Sequence, residues 1–146
     1  MSKEELLNKA MEIASKAHAG LTDKYGAPSI GHVMRVMNYG KTLDEKIVGA
    51  LHDVIEDNSD YLFDTFRELG FPEHIIFAVE CLTKKSENEN YDGFLERTMQ
   101  SPLAIAVKLN DLRDNMDLRR VNRELNAADV KRMNKYLRAY QLLINL

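Results

Sequence analysis

Helical periodicity, which runs through nearly the whole chain, is the feature that most constrains its fold. Apolar residues recur three and four positions apart in almost every segment. No segment shows the strict apolar–polar alternation of a half-buried strand. The sequence therefore predicts an all-α fold. Its first helix is expected between Ser2 and Gly20, and seven more near residues 30–39, 44–56, 60–69, 72–82, 91–100, 102–116 and 127–145.

Two of these helices carry recognisable starting signals. Ser2 is followed by Glu5, the spacing of a capping box, and Gly20 is a plausible stop for the same helix. Thr42 or Asp44 would cap the helix near 44–56. The loop between the first two helices, GLTDKYGAPS, is rich in turn residues.

Size and charge restrict the function. The 146 residues suit one domain spanning 1–146, and a net charge of -3 lacks the basic excess of a general nucleic-acid binder. The charged N-terminal segment is unlike a signal peptide, and no apolar run approaches the roughly 20 residues of a membrane span. The single cysteine, Cys81, predicts a cytoplasmic protein, and its apolar surroundings favour a buried thiol over a nucleophile.

The segment LHDVIED carries the most informative polar cluster. On a helical wheel, one face holds Ile47, Val48, Leu51, Val54 and Ile55, and the opposite face holds His52, Asp53, Glu56 and Asp57. A solvated acidic face is one interpretation. The other is a metal site, because clustered carboxylates repel one another without a compensating cation and an adjacent His-Asp pair supplies nitrogen and oxygen ligands.

Further ligands would have to come from elsewhere in the chain. His32, which begins an apolar helix after the turn-rich loop, is the best second imidazole. We expect His18, at a helix end, to complement the helix dipole, and His74 to be exposed.

The helix near 102–116 is the second anomaly. It is apolar enough to be buried, yet Lys108, Asp111 and Asn115 share one of its faces. Polar groups in a core need partners, so Asp111 is predicted either to form a salt bridge with an arginine or to bind a metal.

Four segments together resemble a known family. They are AMEIASKAHAG, GAPSIGHVMRV, GALHDVIED and AVKLNDLRDNM, in this order over about three quarters of the chain. This arrangement is similar to the HD-domain metal-dependent phosphohydrolases, and more narrowly to the RelA/SpoT-type hydrolase domain and its small alarmone hydrolases. The resemblance implies a compact bundle of about seven to eight helices.

The resemblance also implies roles for individual residues. The metal ligands would be His32, His52, Asp53 and Asp111, with Mn²⁺ as the implied ion. The catalytic residues would be Glu56 and Asp57, and the substrate-binding residues Lys24, Lys108 and Asn115. The implied reaction removes the 3′-pyrophosphate of guanosine tetra- or pentaphosphate.

Departures from the family pattern keep other functions open. Ser29, Gly31, Val33 and Asn110 stand where the family has tyrosine, asparagine, proline and alanine, and the loop between Gly20 and Pro28 is short, with Lys24 as its only base. One alternative is therefore a phosphohydrolase of the same type that acts on another nucleotide or phosphomonoester. A second is a non-catalytic module that binds metal or nucleotide.

Overall fold

Helices account for all the regular structure of the protein. The computed structural model describes residues 1–146. The predicted all-α fold is confirmed, since the only bridge between extended residues is the isolated pair Thr22 and Pro28. The helices are α1 (Lys3–Ala17), α2 (Ser29–Tyr39), α3 (Leu43–Leu51), α4 (Val54–Asp57), α5 (Phe63–Glu68), α6 (Glu73–Cys81), α7 (Tyr91–Thr98), α8 (Pro102–Asn115) and α9 (Ala127–Ile144), with a 3₁₀ helix at Leu118–Arg120 between α8 and α9.

Local signals in the sequence set several helix ends. The Ser2 hydroxyl accepts a hydrogen bond from the backbone N–H of Glu5, as a capping residue should. Thr42, rather than Asp44, caps α3 by accepting from the N–H of Glu45. Gly20 follows α1 with φ of +78°, a left-handed conformation that glycine adopts without strain.

The single helix predicted over 44–56 is wrong, because the chain forms α3 and α4 with His52 and Asp53 between them. His52 Nδ1 lies 2.6 Å from the carbonyl oxygen of Gly49, which in a continuous helix would accept from the N–H of Asp53. The imidazole thus competes with the backbone for this carbonyl. This break raises the number of α-helices to nine, one more than the upper bound expected.

Helix α3 lies at the centre of the molecule. It packs against α1 and α2 and also contacts α6 and α8. Its residues Ile47, Val48, Ala50 and Leu51 are fully buried in the main apolar core. A smaller core joins α7 and α8 to α9 through Leu95, Leu112, Ala139 and Leu143. Helices α2, α3 and α8 all contact one another, which brings their polar residues close together.

Two further expectations concern Cys81 and membrane-spanning segments. Cys81 is buried, and burial raises the pKa of its thiol, which fits a structural rather than a nucleophilic cysteine. None of the helices combines the length and the apolar character needed to cross a membrane.

Gly49 allows α2 and α3 to approach closely. A Cβ atom placed on it would lie 3.1 Å from Met37 Cα and 3.2 Å from Met37 N, both backbone atoms of α2. A backbone cannot move aside as a flexible side chain can. Any side chain at position 49 would therefore push the two helices apart.

Gly49→Ala should lower the free energy of unfolding by about 1–3 kcal/mol, because the added methyl group overpacks this contact. Gly93→Ala is the matched control, since a Cβ at that helical position meets nothing within 4 Å. This control should be neutral or stabilising by up to about 1 kcal/mol. Urea unfolding measures both. Equal effects of the two substitutions would contradict the close approach.

Candidate metal centre

The side chains of the four predicted metal ligands converge at one place in the structure. His32 comes from α2, His52 and Asp53 from the break between α3 and α4, and Asp111 from α8. One potential ligand atom of each lies within 4.8 Å of those of the other three. Two imidazole nitrogens with two carboxylate oxygens form a donor set suited to a divalent transition metal.

His52 shows how the backbone prepares this cluster. A carbonyl oxygen can only accept, so Nδ1 of His52 carries the proton that it donates to Gly49. Its Nε2 is buried with no hydrogen-bond partner, and it is the ring nitrogen left for a metal. Nε2 lies 3.2 Å from Asp53 Oδ2 and 3.4 Å from Asp111 Oδ1. A buried ring nitrogen without a hydrogen-bond partner, beside two carboxylate oxygens, fits a site for a cation.

Carboxylates contact both nitrogens of the His32 ring. Nε2 lies 2.8 Å from Asp111 Oδ1, and Nδ1 lies 2.6 Å from Asp114 Oδ2. Burial lowers the pKa of His32, but the hydrogen bonds with Asp111 and Asp114 outweigh burial and raise it to about 9. Asp114 was absent from the sequence predictions. The available signal was a second carboxylate three residues after Asp111 on a buried helix.

The two oxygens of Asp111 have different neighbours. Oδ2 accepts from Lys108 Nζ at 2.9 Å, whereas Oδ1 faces the two imidazoles and accepts from Asn115 Nδ2 at 3.2 Å. Burial alone would raise the pKa of Asp111, but the Lys108 ammonium and the histidines hold it well below its usual value. The salt bridge predicted as one alternative is thus present, with a lysine instead of an arginine, and it leaves Oδ1 facing the cluster.

Glu56 and Asp57, the predicted catalytic residues, lie on α4 at the open side of the cluster. Glu56 accepts a hydrogen bond from the backbone N–H of Lys84, which fixes its carboxylate. Although the residue is exposed, desolvation by the surrounding protein and the charge of Asp53 raise the pKa of Glu56 to about 7. The same two causes raise the pKa of Asp57 to about 6.

His18 does not have the role expected of it. Its ring is buried, and burial lowers its pKa, so the imidazole is neutral near pH 7 and adds no positive charge to the end of α1. Instead, Nδ1 lies 3.5 Å from Asp57 Oδ2, beneath the short helix α4. His74 is exposed, as expected, and pairs with Asp44.

A cavity of about 400 Å³ opens beside the cluster, a size typical of small-molecule sites. The three predicted substrate-binding residues line it. The sequence analysis missed most of its other polar lining, because the residues come from separate segments with no shared spacing. The basic residues of the lining are Lys24, Lys84, Lys108, Arg120, Arg132 and Lys135, and its tyrosines are Tyr25, Tyr91 and Tyr136.

The chain is similar to known proteins in sequence and in structure. No protein-family model matches the chain. A protein of Aquifex aeolicus (strain VF5), named guanosine-3′,5′-bis(diphosphate) 3′-pyrophosphohydrolase, is 32% identical over 131 residues, which cover 82% of this chain and 18% of that protein. This chain therefore spans less than a fifth of the length of that relative.

A solved structure shares the fold. It belongs to a metazoan ortholog of SpoT, described as hydrolysing ppGpp and as playing a role in starvation responses. The TM-score is 0.78 at 20% identity, over 94% of this chain and 84% of the other. The expected compact helical bundle is thus confirmed.

A divalent metal should stabilise the folded protein through this cluster. At a concentration about one hundred times Kd, Mn²⁺ should contribute about 2.7 kcal/mol and raise Tm by roughly 5–10 °C. His52→Ala should lose this shift, whereas His74→Ala, which removes an exposed histidine outside the cavity, should keep it. Thermal unfolding with and without Mn²⁺ measures the shift. An equal shift in His52→Ala would contradict the site.

Proposed function

We propose that this chain, a relative of the HD-domain hydrolases of the RelA/SpoT type, is a metal-dependent hydrolase. Its substrates would be guanosine tetra- and pentaphosphate, from which it would remove the 3′-pyrophosphate. The supporting observation is the convergence of His32, His52, Asp53 and Asp111 beside a cavity lined with basic residues. We further propose that it acts in the cytoplasm, as its single buried cysteine suggests.

The metal of this proposal is Mn²⁺. It would be held by Nε2 of the two histidines, a carboxylate oxygen of Asp53 and Oδ1 of Asp111, the atoms that face one another in the cluster. When bound, such an ion supplies Lewis acidity, which lowers the pKa of water and polarises phosphoryl oxygens.

Basic side chains of the cavity would bind the phosphate groups. Lys24 lies in the loop before α2, Lys84 follows α6, and Arg132 and Lys135 lie on α9. Burial and the neighbouring cations lower the pKa of Lys135 and of Lys24. A bound polyanion would reduce the repulsion among these positive charges. A nucleotide with a 3′-pyrophosphate and a 5′-diphosphate is such a polyanion.

Other residues would orient the substrate. The hydroxyl of Tyr91 is buried without a hydrogen-bond partner and lines the cavity, so it offers a donor to a bound ligand. Asn115 lines the same cavity next to Asp111. Lys108 would add positive charge to the cavity wall, although its ammonium already forms a salt bridge with Asp111.

Glu56 would handle the proton of the attacking water. In the hydrolysis, the water oxygen bonds to phosphorus while the bond from that phosphorus to the 3′ oxygen breaks. The proton leaving the water passes to Glu56, whose pKa of about 7 suits a general base near neutrality. Glu56 then returns this proton, through solvent, to the 3′ oxygen as pyrophosphate leaves. Asp57 lies next to Glu56 and would assist in holding the water.

A second candidate function keeps this chemistry and changes the substrate. Ser29 lines the cavity where the family has a tyrosine, and Gly31 follows on the same helix turn. A smaller side chain at the cavity wall favours a different base or sugar. This candidate is a phosphohydrolase for another nucleotide or a phosphomonoester.

Purified protein with Mn²⁺ should release pyrophosphate from guanosine tetraphosphate. His52→Ala and Asp111→Ala should lower kcat/KM at least about 100-fold, since even partners behind a metal ligand are worth 10–100-fold. A coupled pyrophosphate assay measures this. A clear preference for a nucleoside monophosphate in a substrate panel would favour the second candidate. Stoichiometric metal with no activity on any substrate would indicate a non-catalytic binding module.

Glu56→Gln should lower kcat by about 10²–10⁴-fold, because glutamine cannot accept the proton from water. Its metal affinity should stay close to that of the wild type, since Glu56 is outside the four-residue cluster. Glu80→Gln is the matched control, an exposed glutamate on α6 that does not line the cavity. Steady-state kinetics and metal titration test both variants. An unchanged kcat in Glu56→Gln would exclude it as the general base.

A further inference from the structure

Asp114 is a buried carboxylate with no place in the mechanism described above. Its side chain is fully buried, and Oδ2 lies 2.6 Å from Nδ1 of His32. It does not line the cavity, so it cannot contact a bound substrate. Burying a carboxylate is costly unless it is paired and hydrogen-bonded. The burial of Asp114 therefore has to be compensated by specific partners.

We propose that Asp114 is a positioning residue that fixes the tautomer and orientation of His32, so that Nε2 of this ring presents its lone pair to the metal. The proposal rests on the proposed metal site. An ionised carboxylate can only accept, so Nδ1 of His32 carries the shared proton. The opposite ring nitrogen then faces Asp111 and Asp53, at 2.8 Å and 3.7 Å from their nearest oxygens.

The two histidines of the cluster are thus oriented by different acceptors. His52 donates Nδ1–H to the backbone carbonyl of Gly49, an acceptor that no side-chain substitution removes. His32 donates to a side-chain carboxylate, which also makes the imidazole a stronger electron donor. The His32 side of the metal site is therefore the one that a single substitution can loosen.

Two arginines hold the Asp114 carboxylate in place. Arg35, one helical turn after His32, donates from Nε to Oδ1 at 2.7 Å, and Arg120 Nη2 lies 3.4 Å from Oδ2. Arg120 also contacts Asp23 Oδ2 at 3.2 Å. Asp23 in turn accepts from two backbone N–H groups of its own loop. Asp114 is thereby anchored to α2 and, through Arg120, to the loop that carries Lys24.

Metal affinity of Asp114→Asn tests the proposal without any substrate. The amide lacks the charge that holds both arginines and the imidazole, so Mn²⁺ should bind about 10–100-fold more weakly. Asp117→Asn is the matched control, since that carboxylate pairs with Arg119 and does not line the cavity. Isothermal titration with Mn²⁺ gives both affinities, and circular dichroism checks the fold. A folded Asp114→Asn protein with wild-type affinity would overturn the proposal.

A measurement on the wild type covers the case in which Asp114→Asn does not fold. Nitrogen NMR of the protein loaded with diamagnetic Zn²⁺ should show His32 protonated at Nδ1 and bound to metal through Nε2. Metal at Nδ1, or a wild-type protein that binds neither Mn²⁺ nor Zn²⁺, would overturn the proposal. Normal metal binding with no hydrolysis of any nucleotide would contradict only the proposed function.

Discussion

The site depends on compensating two buried carboxylates on α8. Asp111 and Asp114 lie one helical turn apart in the interior, where an unpaired negative charge would be strongly destabilising. Lys108 balances the first, and Arg35 with Arg120 balances the second. His32 then lies between two acids that are already paired. This arrangement lets an apolar helical bundle keep a polar centre without losing its fold.

The four clustered residues and the cations of the cavity come from different parts of the fold. The four clustered residues come from α2, α8 and the junction of α3 with α4, all packed against one core. Their positions are therefore set by helix packing. Most of the cavity cations lie on the loop before α2, the segment after α6 and α9, outside that main core. The cluster is therefore fixed by the main core, whereas most of the cavity cations are held outside it.

Periodicity, a local signal, predicted most of the helices. The adjacent His-Asp pair indicated half of the cluster, whereas the full set of four residues came from the resemblance to a known family. The sequence could not predict the interruption at His52, since a side chain that bonds to the Gly49 carbonyl does not change the apolar pattern. Asp114 was missed for a related reason. An acid on a helix looks solvated until its partners, Arg35 and Arg120, are known from the tertiary structure. The role expected for His18 failed because burial removed its charge.

Gly49 affects the cluster in two ways, although it has no side chain. Its carbonyl sets the ring of His52, and its missing Cβ admits α2, the helix that carries His32. The ring centroids of these two histidines are 5.6 Å apart, a spacing that depends on both contacts. A search for functional residues guided by reactive side chains would pass over this position. A substitution at this residue, which has no side chain of its own, would therefore disturb both histidines of the cluster.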